Sequence, residues 1–377
     1  MWRRPLEILY RFALLGISCF GGPTAHIGVF HTTFVKSLKW VTAEEFAHDN
    51  TLCQLIPGPA SSQLGMLIGA RRGGIIGSLC AWVGFTTPSA VLMYLAATNL
   101  PWMSAQSSAG AGLLVGAAVT VCAAVWGMIT PIRTSRPALL LCCLSGLAML
   151  ISPGVLTQFV VLALCALVAT QHPAFATTVP TAHPVVQLPP HGRWFLVVAG
   201  LLLVVSWLMP SVYSTLYQTG ALVFGGGHVV LPMLLARFPA AQESIVQGYA
   251  LAQLVPGPLF TLATFIGASQ SPTPVLGAIG ATFAMFVPGW LIVCGVHAWW
   301  SRQATHPLIG RAIKGTHAAV VGMLAASALQ LVVTHVFDAT LHALIALVCV
   351  VLLTRTTLPP WLLPLGCAVT TALFAIP

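Results

Sequence analysis

The chain has 377 residues, enough for two or three soluble domains, yet only 15 are Lys or Arg and 6 are Asp or Glu. A charged fraction of 6% falls roughly 70 residues short of a soluble globular chain of this length. With 58% hydrophobic residues and a mean hydropathy of +0.94 gathered in several long runs, this composition disfavours a soluble enzyme, a nucleic-acid binder or a disordered scaffold and predicts an all-α polytopic membrane protein.

In chain order, Trp2-Arg3-Arg4-Pro5 precedes a Gly-interrupted helix over 6–22. It reads as retained in the protein, because Gly16 stands where a lipoprotein signal needs Leu. The helix ends at Phe20-Gly21-Gly22-Pro23, with His26 just beyond. A proline-broken helix over 46–70 follows, with Gln54 and Pro57-Gly58-Pro59 at the break and Ser61 and Ser62 directly after it. Glu44, Glu45 and Asp49 crowd its start. Apolar runs of spanning length cover 74–98 and 109–130, and a shorter pair, 138–151 and 154–170, is hinged at Ser152-Pro153-Gly154. The stretch from His172 to Gly192 is rich in Pro and Thr and reads as a linker; its three histidines, two of them before proline, are read as solvated rather than metal-binding. A single run over 194–209 leads to a second Gly-interrupted helix (210–226), a second proline-broken one (245–268), long runs over 275–300 and 308–334, and a last pair, 340–353 and 360–376, around Pro359-Pro360. Counting every segment gives about 13. The 10 cysteines lack CxxC spacing and read as small buried hydrophobes, so neither a metal site nor a cofactor is expected.

The two halves repeat one another. Phe20-Gly21-Gly22 recurs as Phe224-Gly225-Gly226, and Gln54-Leu-Ile-Pro57-Gly58-Pro59 as Gln253-Leu-Val-Pro256-Gly257-Pro258, while Gly77 to Pro88 matches Gly277 to Pro288, at offsets of 204, 199 and 200. The organisation is therefore a first repeat (1–170), a linker (171–193), an extra helix (194–209) and a second repeat (210–377). One extra helix flips whatever follows it. The basic loops agree: Arg71-Arg72 and Arg133 to Arg136 in the first copy have counterparts without Lys or Arg in the second, whose basic loops are Arg302 to Lys314 and Arg355. By the positive-inside rule, equivalent loops sit on opposite sides of the membrane, giving inverted-topology repeats with a cytoplasmic N-terminus marked by Arg3, Arg4 and Arg11. Whether the Pro-Gly-Pro helices cross or fold back as re-entrant hairpins stays open, because either choice preserves the parity.

Proline beside glycine inside a short apolar stretch frees backbone groups that must be buried in protein or wetted. The half-helix after the break would offer unpaired N–H groups and the hydroxyls of Ser61, Ser62 or Thr261, a setting suited to an anion, and inversion would bring both copies to one place. The competing reading is a proline kink satisfied by neighbouring helices. Gly21, Gly22, Gly225 and Gly226 suit either a positive-φ turn aimed at a ligand or close helix packing, and His26 and His228 either an anion contact or an ordinary hydrogen bond. A dianion also needs a cation, for which Arg71, Arg72, Lys36 and Arg237 are nearest in sequence. Glu44, Glu45, Asp49 and Glu243 are candidates for proton coupling, against the simpler role of capping a helix.

Taken together, Phe20-Gly-Gly-Pro-Thr-Ala-His26, Leu52-Cys-Gln-Leu-Ile-Pro-Gly-Pro-Ala-Ser-Ser-Gln63, Gly84-Phe-Thr-Thr-Pro-Ser89, Phe224-Gly-Gly-Gly-His-Val-Val-Leu-Pro232 and Gln253-Leu-Val-Pro-Gly-Pro-Leu-Phe-Thr261 resemble, in order, the blocks of the chromate ion transporter superfamily in its long two-domain form. The resemblance implies an inner-membrane carrier that exports chromate, a tetrahedral dianion like sulfate, using the membrane potential or ion gradients, and that confers chromate resistance. The chain departs from the family pattern after Arg237, where Phe238-Pro-Ala-Ala-Gln replaces a Gly-Trp-Val-Ser type stretch. A passive oxyanion channel and a sulfate carrier are the alternatives, and a membrane-embedded enzyme lacks any cofactor signature. The implied partners are the transported anion and the lipid bilayer, with no nucleic acid; formation of a homo-oligomer is left open.

Overall fold

A computed structural model of the chain describes residues 3–99, 107–175, 192–224, 230–303, 307–355 and 362–374. Among them every regular element is helical: α1 (Arg3–Ser18), α2 (Gly22–Phe30), α3 (Ala43–Leu55), α4 (Ala60–Asn99), α5 (Ser108–Ile129), α6 (Arg136–Ile151), α7 (Val155–Gln171), α8 (Gly192–Leu208), α9 (Val212–Leu222), α10 (Val230–Arg237), α11 (Gln242–Leu254), α12 (Leu262–Gln270), α13 (Pro274–Gln303), α14 (Pro307–His335), α15 (Thr340–Arg355) and α16 (Leu363–Phe374). Four are long and apolar enough to cross a bilayer: Ala60–Asn99, Ser108–Ile129, Pro274–His297 and Leu308–His335. Shorter apolar helices accompany them. Leu140, Leu147, Leu156, Leu201, Leu208 and Leu373 are among the large aliphatic side chains left outward, a surface that needs lipid rather than water. The protein is a multi-pass membrane protein.

The chain forms two compact units that do not follow the sequence repeats. Residues 1–99, 181–230 and 255–304 make one, and 100–180, 231–254 and 305–377 the other, so each draws on both copies. In the first unit α4 is not one rod. Gly73 and Gly74 leave helical geometry, Gly74 at φ +63°, and the arm over 60–72 folds back on the arm over 75–99. A methyl group on Gly69 would collide with the Gly77 carbonyl and the Ala81 side chain, an approach that only glycine permits. Gly267 and Gly277 make the same contact between α12 and α13. The first helix of each copy also packs alike: Gly16 of α1 abuts the Phe85 carbonyl and Pro88, and Gly220 of α9 abuts the Met285 carbonyl and Pro288. Lipid supplies little driving force between apolar helices, so such close backbone contacts through small residues hold them together.

In the second unit α14 is the hub, with Gly315 against Cys165 and Ala169 of α7 and Gly322 against Cys142 and Gly146 of α6. Gly112 and Gly116 of α5 seat α16 in the same way, at Thr371 and Pro364.

Candidate functional site

The site grows from the first Pro-Gly-Pro break. Ile56 ends α3 in extended geometry and α4 begins at Ala60. Arg71, late in the first arm of α4, meets Asp49 and Glu45 of α3: its Nε lies 2.7 Å from Asp49 Oδ2, its Nη2 3.0 Å from Asp49 Oδ1 and its Nη1 2.8 Å from Glu45 Oε1. Residues 49 and 71 are 22 apart, which along a continuous helix would be about 33 Å. The first broken helix is thus a hairpin with its tip at Pro57-Gly58-Pro59, its open end clasped by an arginine. Glu45 serves twice, for its Oε2 also accepts the Thr42 N–H at 2.8 Å while Thr42 Oγ1 accepts the Glu45 N–H, a complete capping box. Glu44 is exposed.

The tip is bonded to the other copy. Gly58 N–H donates to the Val223 carbonyl at the end of α9, and Gly257 N–H donates to the Cys19 carbonyl at the end of α1, both at 2.8 Å. Each Pro-Gly-Pro therefore reaches the residue preceding the other copy's Phe-Gly-Gly. Gly58 and Gly257 adopt φ of +127° and +104°, and Gly21 and Gly22 are also in positive φ at +98° and +73°. The two central N–H groups are thus committed to protein carbonyls, and the donors at the site come from side chains and the first turn of α4. Gln63, fully buried, donates from Nε2 to the Pro57 carbonyl at 2.9 Å and to the Gly289 carbonyl of α13 at 3.0 Å. Pro59 packs on Gly289.

Ser61 and Ser62 are buried in the first turn of α4. The His26 imidazole, fully buried, has Nδ1 3.3 Å from Ser61 Oγ, stands edge-on to Phe85 at 5.1 Å, and lies beside the Cys19 carbonyl that Gly257 also uses. Among the described residues, Ser62 Oγ has no hydrogen-bond partner. The first turn of α4, two buried hydroxyls and an imidazole are donor groups of the kind suited to an oxyanion. In the second copy Pro256 and Pro258 are buried, and Thr261 donates to the Pro258 carbonyl at 2.8 Å.

Other expected site residues are dispersed. Gln54 is exposed and bonds Asn50 at 3.4 Å, whereas its counterpart Gln253 is buried on α11 in the second unit. Glu243 is exposed in the first turn of α11. Gly225, Gly226 and His228 lie outside the described residues. Of the candidate cations, Arg71 is held by two carboxylates and Arg72 pairs with Glu7 at 3.2 Å while lying over the Trp40 ring at 5.3 Å. Lys36 is exposed in the π-helical turn His31–Ser37, and Arg237 ends α10 in the second unit.

Sequence reasoning missed Gln63 as a site residue, and His48 and His297 altogether. Pro57 sits in the break, so its carbonyl needs a donor from outside a helical ladder, and an amide six residues on was the available signal. His297 was visible as an ionisable side chain inside a spanning run, a placement that is costly without a partner.

Comparison with known proteins gives this arrangement a family. The chain is 26% identical to the chromate transport protein of Cupriavidus metallidurans, covering 93% of this chain and 88% of that protein. It is 25% identical to the chromate transport protein of Pseudomonas aeruginosa (86% and 80%) and 26% identical to a probable chromate transport protein of Synechococcus elongatus (86% and 84%). No solved structure matches. The sequence profile described as chromate transporter matches residues 6–171 and 210–372, one span in each copy, and the chain belongs to the chromate transporter family.

Proposed function

We propose that this protein is a secondary active transporter that exports chromate from the cytoplasm and thereby confers chromate resistance, with sulfate as the natural analogue of its substrate. The family supports chromate transport, and the curated relatives are named as transporters rather than enzymes. The observation that carries the site is the reciprocal pair of bonds Gly58 to Val223 and Gly257 to Cys19, which joins the broken segments of both copies at one locus. In this reading the dianion sits at the N-terminus of α4, against Ser61, Ser62 and His26, with Gly21, Gly22, Pro57, Gly58 and Pro59 around it, while the exposed Gln54 lies outside it. From the second copy, Pro256, Gly257, Pro258 and Thr261 are proposed to take part at the same locus, and Gly225, Gly226, His228 and Gln253 stay candidates by their place in the repeat.

The two copies are proposed to be inverted, with about 13 membrane segments and a cytoplasmic N-terminus in the inner membrane. Support for that orientation comes from Glu7 of α1, whose 3.2 Å contact with Arg72 puts the Arg3-Arg4 end of the chain on the same side as Arg71-Arg72. A passive oxyanion channel shares the same donor groups, and uphill movement separates the two readings. Inside-out vesicles bearing the protein should accumulate labelled chromate when energised and lose it on addition of an uncoupler. Uptake that only equilibrates, uncoupler or not, would reject the carrier in favour of the channel.

A further inference from the structure

The densest group of ionisable side chains lies at the clasped end of the first hairpin. Asp49, 1% exposed, holds Arg71 through both carboxylate oxygens. Its Oδ1 also faces two buried imidazoles, His48 Nδ1 at 3.3 Å and His297 Nε2 at 3.5 Å, the latter from α13 of the other copy. Glu45 is the second carboxylate on Arg71. With both histidines neutral, the two carboxylates outnumber the one arginine, and the cluster carries net negative charge. Buried net charge is unfavourable, and one added proton removes it. Two imidazoles against the same carboxylate oxygen offer places for that proton.

The facing groups make the site specific. Arg71 of α4, His297 of α13 and Glu45 of α3 meet it, with Cys53 one turn on along α3; on the neighbouring elements Arg72 is paired with Glu7 of α1, Glu44 and Lys36 are exposed, and the His31 ring lies 5.2 Å from Phe46. Of these groups the second copy keeps only Glu243, at the place of Glu44. At the 199-residue offset Ser244, Gln247, Gly248 and Gln270 replace Glu45, His48, Asp49 and Arg71, and at the 200-residue offset Ala97 answers His297. Both copies keep the Pro-Gly-Pro tip, whereas only one keeps the titratable clasp, so the clasp is not a requirement for building a broken helix.

The clasp is also wired to the tip. Helix α13 accepts from Gln63 at Gly289 and touches Asp49 at His297, eight residues or about 12 Å farther along. Protonating the cluster changes what holds Arg71 and α13, and both are joined to the place where the anion would sit. A proton and a dianion that each alter the other's binding are linked reciprocally.

We propose that His48, Asp49 and His297 form a proton-binding site that couples proton influx to anion exit, with Arg71 and Glu45 setting its charge. This rests on the oxyanion-export reading for what is coupled, though not for the proton site itself. Full-length protein in liposomes containing a pH dye, with the potential clamped, should move protons inward as chromate leaves. His297→Gln, which keeps Arg71 paired, should lower the ratio of protons to chromate moved by about tenfold, within the usual span of coupling between sites. Asp49→Asn should do the same if it folds. An independent reading uses Trp300, whose ring lies 6.0 Å from that of His48. The Trp300 emission, taken as the difference from Trp300→Phe, should show a pH step that is lost in His48→Gln and shifted in His297→Gln. Protein that moves no chromate yet shows this step keeps the proton site and removes the chromate reading. Chromate movement without proton influx, an unchanged ratio in His297→Gln, or a Trp300 emission flat across pH overturns the proposal.

Discussion

Gly58 and Gly257 illustrate how one residue serves both backbone shape and packing. Their φ values of +127° and +104° lie where an L side chain is strained, at a cost of about 1–2 kcal/mol. A Cβ on Gly58 would stand 2.5 Å from Gln63 Nε2 and 3.1 Å from the Gly289 Cα, and one on Gly257 2.8 Å from Ser89 Oγ. Gly58→Leu and Gly257→Leu should each reduce chromate uptake to about a tenth or less while the protein still inserts, because the damage is confined to the tip. Normal uptake by either variant would leave that copy's Pro-Gly-Pro as a kink only. Gln63 is the quieter case. Its counterpart in the second copy is Leu262, so Gln63→Leu asks whether the two carbonyls at Pro57 and Gly289 need their shared donor. A loss of about 1–3 kcal/mol, seen as a lower Tm in detergent, is expected from the unpaired buried carbonyls. An unchanged Tm would mean that another donor replaces it.

At the level of helices, the two arginines of one basic turn have different tasks. The Arg71 side chain is 7% exposed against carboxylates at 1% and 22%, while Arg72 and Glu7 are each 37% exposed. Removing one partner of a buried pair leaves an uncompensated charge, about 3–5 kcal/mol, whereas an exposed pair contributes about 0–1 kcal/mol. Arg71→Ala should therefore lower Tm far more than Arg72→Ala, and equal losses would contradict the clasp. The residue types here were plain in the sequence. Their pairing was not, because a run broken by Pro-Gly-Pro can continue in line or turn back, and only the in-space meeting of Asp49 with Arg71 distinguishes the two. The 40-residue helix α4 is the converse case: the basic Arg71-Arg72 loop separates its two arms in the sequence, where they fall in the segments at 46–70 and 74–98, whereas the departure of Gly73 and Gly74 from helical geometry that turns the chain is a detail that hydropathy does not encode.

For the whole molecule, the duplication was legible because three motifs recur at nearly constant offset, and the helical class because charge is so scarce. The division into two units that each mix both copies was not, since it depends on which small residues meet across long separations. The proposed inversion of the copies leads to a direct labelling test. Lys39 is exposed next to Trp40, which Arg72 covers, so it reports the side of the Arg71-Arg72 turn. Thr273 is exposed in the turn between α12 and α13, the equivalent place in the second copy. In a cysteine-free background, Lys39→Cys should label only from the cytoplasmic side and Thr273→Cys only from the opposite side. Labelling of both from one side would make the repeats parallel.

In the proposed reading, recognition of the substrate follows from the groups at the N-terminus of α4. Helix N–H groups, the Ser61 and Ser62 hydroxyls and an imidazole at His26 match a small tetrahedral dianion by charge and shape, and none of them bonds to the central atom. Chromium and sulfur should therefore be poorly distinguished. Phosphate at neutral pH is partly protonated and carries a donor hydrogen, to which the helix N–H groups offer no acceptor, so phosphate held by them loses a buried hydrogen bond. Chloride has no tetrahedral set of acceptors to engage several donors at once. In energised inside-out vesicles, sulfate should inhibit chromate uptake at concentrations well below those needed of phosphate, by about tenfold or more, because one unpaired buried donor of about 1–3 kcal/mol is worth that ratio. Inhibition by phosphate or chloride at the same concentration as sulfate would describe an unselective basic cavity, and would shift the assignment from a carrier with a shaped site to a channel.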